Sequence, residues 1–170
     1  ARERRFRAYG EGLYGARALF ATRGSVSRVD FRRFAEGLDL KNRCPGFDTM
    51  NYAVYVRHED KDRFVQRVRR DTSIDSQGYP KFAVKPPGDR PDYFVLVYVE
   101  PMIGFEFAFG LDIGTNPAVV AVDHRAVANL QRSARDTGNL TASGLPIRIK
   151  AAREYIGLAM RLPVYRNGMP

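Results

Sequence analysis

The stretch from Asp92 to Asp112, DYFVLVYVEPMIGFEFAFGLD, restricts the possible folds more than any other part of the chain. Phe94 to Val99 is an unbroken apolar run rich in β-branched and aromatic residues, which suits a strand covered on both faces and predicts a central one. After Pro101 and Gly104, Phe105, Phe107, Phe109 and Leu111 alternate with Glu106, Ala108, Gly110 and Asp112. That period of two predicts a further strand ending on a carboxylate. An acid at the end of so apolar a segment needs something specific to bind or pair with.

The rest of the chain supplies elements to cover this strand. Phe6, Tyr9, Leu13, Ala16 and Phe20 recur at spacings of three and four, the pattern of a helix with a narrow seam. It predicts a stalk over residues 1–24 that pairs with a copy of itself; the alternative is a helix lying on its own domain. Ser27-Arg28-Val29-Asp30 reads as an acidic capping box for a second helix within 25–46, with Phe31, Phe34, Ala35 and Leu38 on its apolar face and a stop before Pro45-Gly46. Met50, Tyr52, Val54 and Val56 mark a strand, and a charged helix from Glu59 to Arg70 packs through Phe64, Val65 and Val68. Phe82 and Val84 suggest a short strand closed by Pro86-Pro87-Gly88. Pro117 opens a helix running to Asp136, with Val120, Val127 and Leu130 inward and Gly138 at its end. Two strands close the chain, one through Leu145, Ile147 and Ile149, the other through Ile156, Leu158, Met160 and Leu162. This order predicts an α+β domain, an N-terminal helical stalk followed by an antiparallel sheet with helices packed on it.

With 44% hydrophobic and 12% aromatic residues, 170 residues suffice for one domain with a real core. The net charge of +9 raises the question of nucleic acid. Only five of the 28 basic residues are lysines, and the arginines spread from Arg2 to Arg166 instead of gathering in a recognition motif. The densest groups, Arg2/Arg4/Arg5/Arg7 and Arg67/Arg69/Arg70, fall on solvated helix faces, so no nucleic-acid partner is expected. The single cysteine, Cys44, excludes an internal disulfide or cysteine-based metal site. His58 and His124 match no metal motif, and His58 suits a surface or capping role at a helix entry. Gly110-Leu111-Asp112-Ile113-Gly114 lacks the spacing and context of a dinucleotide fingerprint. No catalytic constellation is found, so neither an enzyme nor a cofactor is expected. No apolar run reaches the roughly 18 residues of a membrane span, and the N-terminus lacks a secretion signal.

Taken in order, Phe31-Arg32-Arg33-Phe34, Pro45-Gly46, Tyr52, Phe64, Pro86-Pro87-Gly88-Asp89-Arg90, Tyr93-Phe94-Val95-Leu96 and Tyr98-Val99-Glu100-Pro101 form the first half of a family pattern. Gly110-Leu111-Asp112, Ala134-Arg135-Asp136-Thr137-Gly138, Ser143-Gly144 and Leu162-Pro163-Val164-Tyr165-Arg166 continue it. Over nearly its whole length the chain resembles the CHASE family, the extracellular sensory domain of histidine kinases, nucleotide cyclases and diguanylate cyclases. The resemblance implies a dimer with a helical stalk and PAS-like modules, set between two transmembrane helices of a full-length receptor. It implies an extracellular or periplasmic location at the plasma or inner membrane. Residues 47–166 would be the PAS-like ligand-sensing module, with a membrane-proximal module beyond the end of this chain. In the plant cytokinin receptors of this family an aspartate pairs with the adenine ring, a residue after the next helix presents its backbone, and a glycine in a late strand leaves room. By motif those places are held here by Asp112, Ala142 and Gly157. The family often has asparagine where this chain has Phe105.

Strand parity extends the candidate site. Ile156, Leu158, Met160 and Leu162 would share one face of the last strand, leaving Gly157, Ala159 and Arg161 on the ligand side. With Leu96, Tyr98 and Leu111 they complete the ligand-binding candidates around Asp112. Such a site would offer Asp112 to a donor or cation and Arg161 to an acceptor or anion. An adenine or cytokinin-like ligand satisfies part of that pair, and a carboxylated polar metabolite both ends. The alternative is that Asp112 and Arg161 pair with each other or reach solvent. The function expected is a small-molecule sensor domain of a transmembrane receptor; the second reading is a structural or protein-binding domain whose core its own phenylalanines fill.

Overall fold

A computed structural model describes residues 2–114, 119–120, 133–142, 147–150 and 154–165. In chain order these form helices α1 (Arg2–Arg23), α2 (Arg28–Leu38) and α3 (Leu40–Arg43), strand β1 (Met50–Arg57), helix α4 (Lys61–Arg69) and strand β2 (Asp92–Glu100). Short strands follow: β3 (Val119–Val120), β4 (Thr141–Ala142), β5 (Ile147–Lys150), β6 (Glu154–Gly157) and β7 (Met160–Arg161). All their ladders are antiparallel, so the architecture is the expected α+β. The chain divides into two compact units, Ala1–Asp48 with Ala118–Pro170, and Thr49–Pro117. The segment 47–166, read from sequence as one module, contributes to both.

In the Thr49–Pro117 unit, β1 and β2 pair from Met50↔Glu100 to Arg57↔Asp92. The register shifts between Tyr52 and Ala53, which face Tyr98 and Leu96, so Val97 is the extra residue of a bulge. The other edge of β2 is occupied by residues 110–113: the Gly110 amide donates to the Leu96 carbonyl at 2.8 Å and the Ile113 amide to that of Phe94 at 2.8 Å. Lys85 lies beyond them, its amide on the Gly110 carbonyl at 2.9 Å. Backbone partners on both edges along 94–96 let Val95 and Leu96 be buried without orphaned amides. One core cluster joins Val56, Val84, Tyr93, Val95 and Val97 to Phe64 and Val68, which lie one turn apart on α4, and to Phe82. A second gathers Leu96, Val99 and Ala108 with half-buried Met102, Phe105, Phe107, Leu111 and Ile113.

Two expectations for this unit are corrected. The alternating segment 105–112 is not a strand. The Phe105 amide donates to the Met102 carbonyl at 2.8 Å, Ala108 to Phe105 at 2.9 Å, and Leu111 to Ala108 at 3.0 Å. Gly104 and Gly110, with φ of 85° and 87°, reverse the chain at both ends, so local turns satisfy these amides instead of a neighbouring strand. The alternating phenylalanines reflect ring packing, Phe82 on Phe109 at 4.7 Å and Phe105 on Phe107 at 6.2 Å. Phe82 and Val84 are buried, but their segment contributes a single bridge, Lys85↔Leu111, and not the expected strand.

In the other unit, α2 begins with the capping box read from sequence. The Asp30 amide donates to Ser27 Oγ at 3.1 Å, and the Ser27 amide donates to Asp30 Oδ2 at 3.3 Å. The helix stops at Asp39, whose left-handed φ of 47° separates it from α3. α1 packs on its own unit: Phe20 meets Phe31 at 6.4 Å between rings, Tyr9 meets Phe47 at 6.2 Å, and Ala16 is buried. A Cβ on Gly15 would stand 3.2 Å from the Phe34 ring, so the glycine sets how closely the helices approach. Three of the five seam residues are therefore engaged within the unit.

Here too the strand pattern departs from the sequence reading. Val119–Val120 pairs with β5 and does not belong to the helix expected from Pro117. Residues 133–137 are helical, and Gly138 closes them with φ 71° and its amide on the Ala134 carbonyl at 3.1 Å. Residues 121–132, with His124, Val127 and Leu130, lie outside the described residues. The last expected strand is broken at Leu158 and Ala159: β6 pairs with β5, whereas β7 pairs with β4 in a separate sheet. Leu158 is 54% exposed. Two irregular residues and a change of partner strand reset the alternation, so Leu158 and Met160 do not continue one buried face.

Candidate functional site

Asp112 is brought to the interior by the turn at Gly110, where any Cβ would collide with the Ala83 carbonyl oxygen. Its amide donates to the Lys85 carbonyl at 2.8 Å, and it stands opposite Val95. The side chain is 0% exposed. Oδ1 accepts the amides of Phe94 and Gly114, both at 3.0 Å, and Oδ2 accepts Arg90 Nε at 2.9 Å. The Arg90 side chain is 17% exposed. A buried carboxylate is tolerable because charge-assisted donors replace its water.

Arg90 is itself fixed. Its Nη2 donates to the Pro86 carbonyl at 2.9 Å, and its guanidinium lies 4.9 Å from the centre of the Tyr93 ring. The Arg90 amide donates to Tyr93 Oη at 2.9 Å, and His58 Nδ1 lies 3.2 Å from the same oxygen. Lys61, at the start of α4, sits 5.4 Å from the Tyr93 ring centre and pairs with Asp89 at 2.9 Å. That hydrogen bond raises the Lys61 pKa and lowers that of Asp89. The Pro-Pro-Gly-Asp-Arg turn is thus tied to both β2 and α4. His58 is exposed at the helix entry, as expected, with Tyr93 as an added contact.

The other candidates fall as follows. Leu96 and Leu111 come together, with an amide-to-carbonyl bond of 2.9 Å and a shared apolar cluster. Tyr98 packs against the opposite cluster, its ring 5.6 Å from that of Tyr52, because the bulge at Val97 reverses the alternation after Leu96. In the other unit, Ala142 and Arg161 lie on the β4–β7 ladder, in the pairs Ala142↔Met160 and Thr141↔Arg161. Arg161 is half-buried, and burial pushes its guanidinium down to about 10. Gly157 ends β6 opposite Ile147, in the second sheet of that unit, and half-buried Ala159 lies outside either strand. The sequence does not mark Arg90 and Tyr93 as site residues, although both sit in runs that carry the family likeness.

A family model for the CHASE domain matches residues 24–170, and the chain belongs to that family. None of the curated proteins compared with it matches. CHASE domains are sensory domains of signalling receptors, not catalytic ones, and generally lie outside the cell as parts of membrane receptors. Among the described residues no helix is long and apolar enough to cross a membrane, and no cluster of side chains could hold a metal ion.

Proposed function

We propose that this chain is the extracellular or periplasmic small-molecule-sensing part of a transmembrane receptor of histidine kinase or cyclase type. Occupancy of its PAS-like module changes the packing of α1, which pairs with its counterpart in a second copy. The reading is carried by the family match over 24–170 and is supported by Asp112, a fully buried carboxylate opposite buried Val95. Arg90 and two backbone amides hold that carboxylate before any ligand arrives, and such preorganisation lowers the cost of binding. The proposed ligand contacts of the Thr49–Pro117 unit are Asp112, Leu96, Leu111 and Tyr98; those of the other unit are Ala142, Gly157, Ala159 and Arg161, each set taken by itself. Adenine-like compounds and polar carboxylated metabolites are the two ligand classes to compare.

A filled core with no small ligand is the second reading. It is favoured by the three hydrogen bonds Asp112 accepts from its own chain and by the ring packing of Phe82, Phe105, Phe107 and Phe109. A thermal-shift screen of both ligand classes, followed by calorimetry on wild type, Asp112→Asn and Arg161→Ala, separates the readings. Saturable binding weakened by either substitution supports sensing. A folded chain that binds no member of either class supports the filled core. Sedimentation of wild type and Leu13→Glu tests pairing through α1; a wild-type monomer at all concentrations contradicts it.

A further inference from the structure

We propose that Lys85 is the anion-recognising contact of a small-molecule site on the half-exposed apolar face of the Thr49–Pro117 unit, and that the ligand joins a flat apolar body to a carboxylate or phosphate. The inference rests on the sensory reading above and names the chemistry of its ligand. Lys85 is fixed in place, its amide on the Gly110 carbonyl at 2.9 Å and its carbonyl accepting the Asp112 amide at 2.8 Å. Its side chain is half-buried, and Nζ donates to the Phe107 carbonyl at 2.9 Å. An ammonium has three donors, and among the described residues no carboxylate pairs with this one.

Burial disfavours the charge and lowers the Lys85 pKa. Nζ reaches the Phe107 backbone, and Phe107 clusters with Phe105, Leu111 and Met102, apolar side chains only half withdrawn from water. An apolar surface edged by one under-coordinated cation is complementary to an amphipathic anion. Lysine, a compact point charge, suits a single carboxylate or phosphate oxygen better than a planar bidentate clamp does.

The test uses the 170-residue chain labelled at lysine Cε, with the Lys85 signal identified by its loss in Lys85→Met. The probes are benzoate, phenyl phosphate and neutral benzamide. At least one anion should shift the Lys85 signal saturably, and the anion that binds distinguishes carboxylate from phosphate. Benzamide should bind roughly tenfold or more weakly. Lys85→Met, followed through the backbone amides of Leu96 and Leu111, should lose about as much affinity for the anion, and Lys85→Arg should keep most of it. A Lys85 signal unmoved by both anions overturns the inference, as does equal binding by Lys85→Met. If benzamide or adenine binds this face equally well in wild type and Lys85→Met, the inference fails while the sensory reading stands. Failure of every probe also removes the inference, and the sensory reading is then judged on the wider screen.

Discussion

Arg90 Nε donates to Asp112 Oδ2 at 2.9 Å, joining a turn residue to a carboxylate with no exposure to water. Removing either partner leaves the other buried and under-compensated. Asp112→Ala also orphans the amides of Phe94 and Gly114. The expected loss of stability is about 3–5 kcal/mol for Asp112→Ala, with Arg90→Ala plus Asp112→Ala costing less than the sum of the single changes. Urea unfolding measures both. A loss below about 1 kcal/mol for Asp112→Ala would contradict the geometry.

Two glycines should respond with opposite signs. Gly110 has φ 87° and no room for a Cβ against the Ala83 carbonyl oxygen, so Gly110→Ala should cost at least about 2 kcal/mol. Gly37 lies inside α2 with nothing within 4 Å of a Cβ, so Gly37→Ala should stabilise by about 0.5–1 kcal/mol. Thermal unfolding of the two variants checks the pair.

The capping box gives a pH signature. The Ser27 side chain, then its amide, then Arg23 hold the Asp30 carboxyl below its ordinary 3.8. A depressed carboxylate contributes stability that is fully present above 3.8 and lost as pH falls through the folded value. Wild type should therefore lose more stability than Ser27→Ala on acidification from about pH 5, and the curves should converge at the acid end. Parallel curves would mean the box contributes no linkage.

Much of the fold was legible, and its limits have physical causes. The Ser27 to Asp30 box, β1, β2, the Phe64/Val68 face of α4 and the stop at Gly138 all depend on neighbours within a few residues or on a face buried along its length. The errors arose where a partner is distant. Period two in Phe105, Phe107 and Phe109 came from turns between left-handed glycines, and the alternation through Leu158 failed because β6 and β7 have different partner strands. The acid of the candidate site was legible in its setting: Asp112 closes an apolar segment and needed a partner. That this partner is Arg90, 22 residues earlier in sequence, follows only from residues 110–113 lying along β2.

Lys85 should show the same sign of pH dependence as Asp30, stability rising with pH, but at the alkaline end. Burial lowers its pKa from 10.5, so the folded chain gives up this proton before the unfolded chain does. The penalty is complete below the folded value and fades as pH rises towards 10.5. Wild type should gain stability relative to Lys85→Met as pH rises towards 10.5, read by urea unfolding. An unchanging difference would show that the ammonium is not desolvated.

The central claim, that ligand occupancy is felt at the buried acid and passed to α1, is tested most directly by an amide NMR titration with the best ligand from the screen. Phe94 and Gly114 donate their amides to Asp112 and so report on that carboxylate. The account predicts saturable shifts at these two amides and along α1 with a single affinity. Saturable binding that leaves Phe94, Gly114 and α1 unmoved would contradict it.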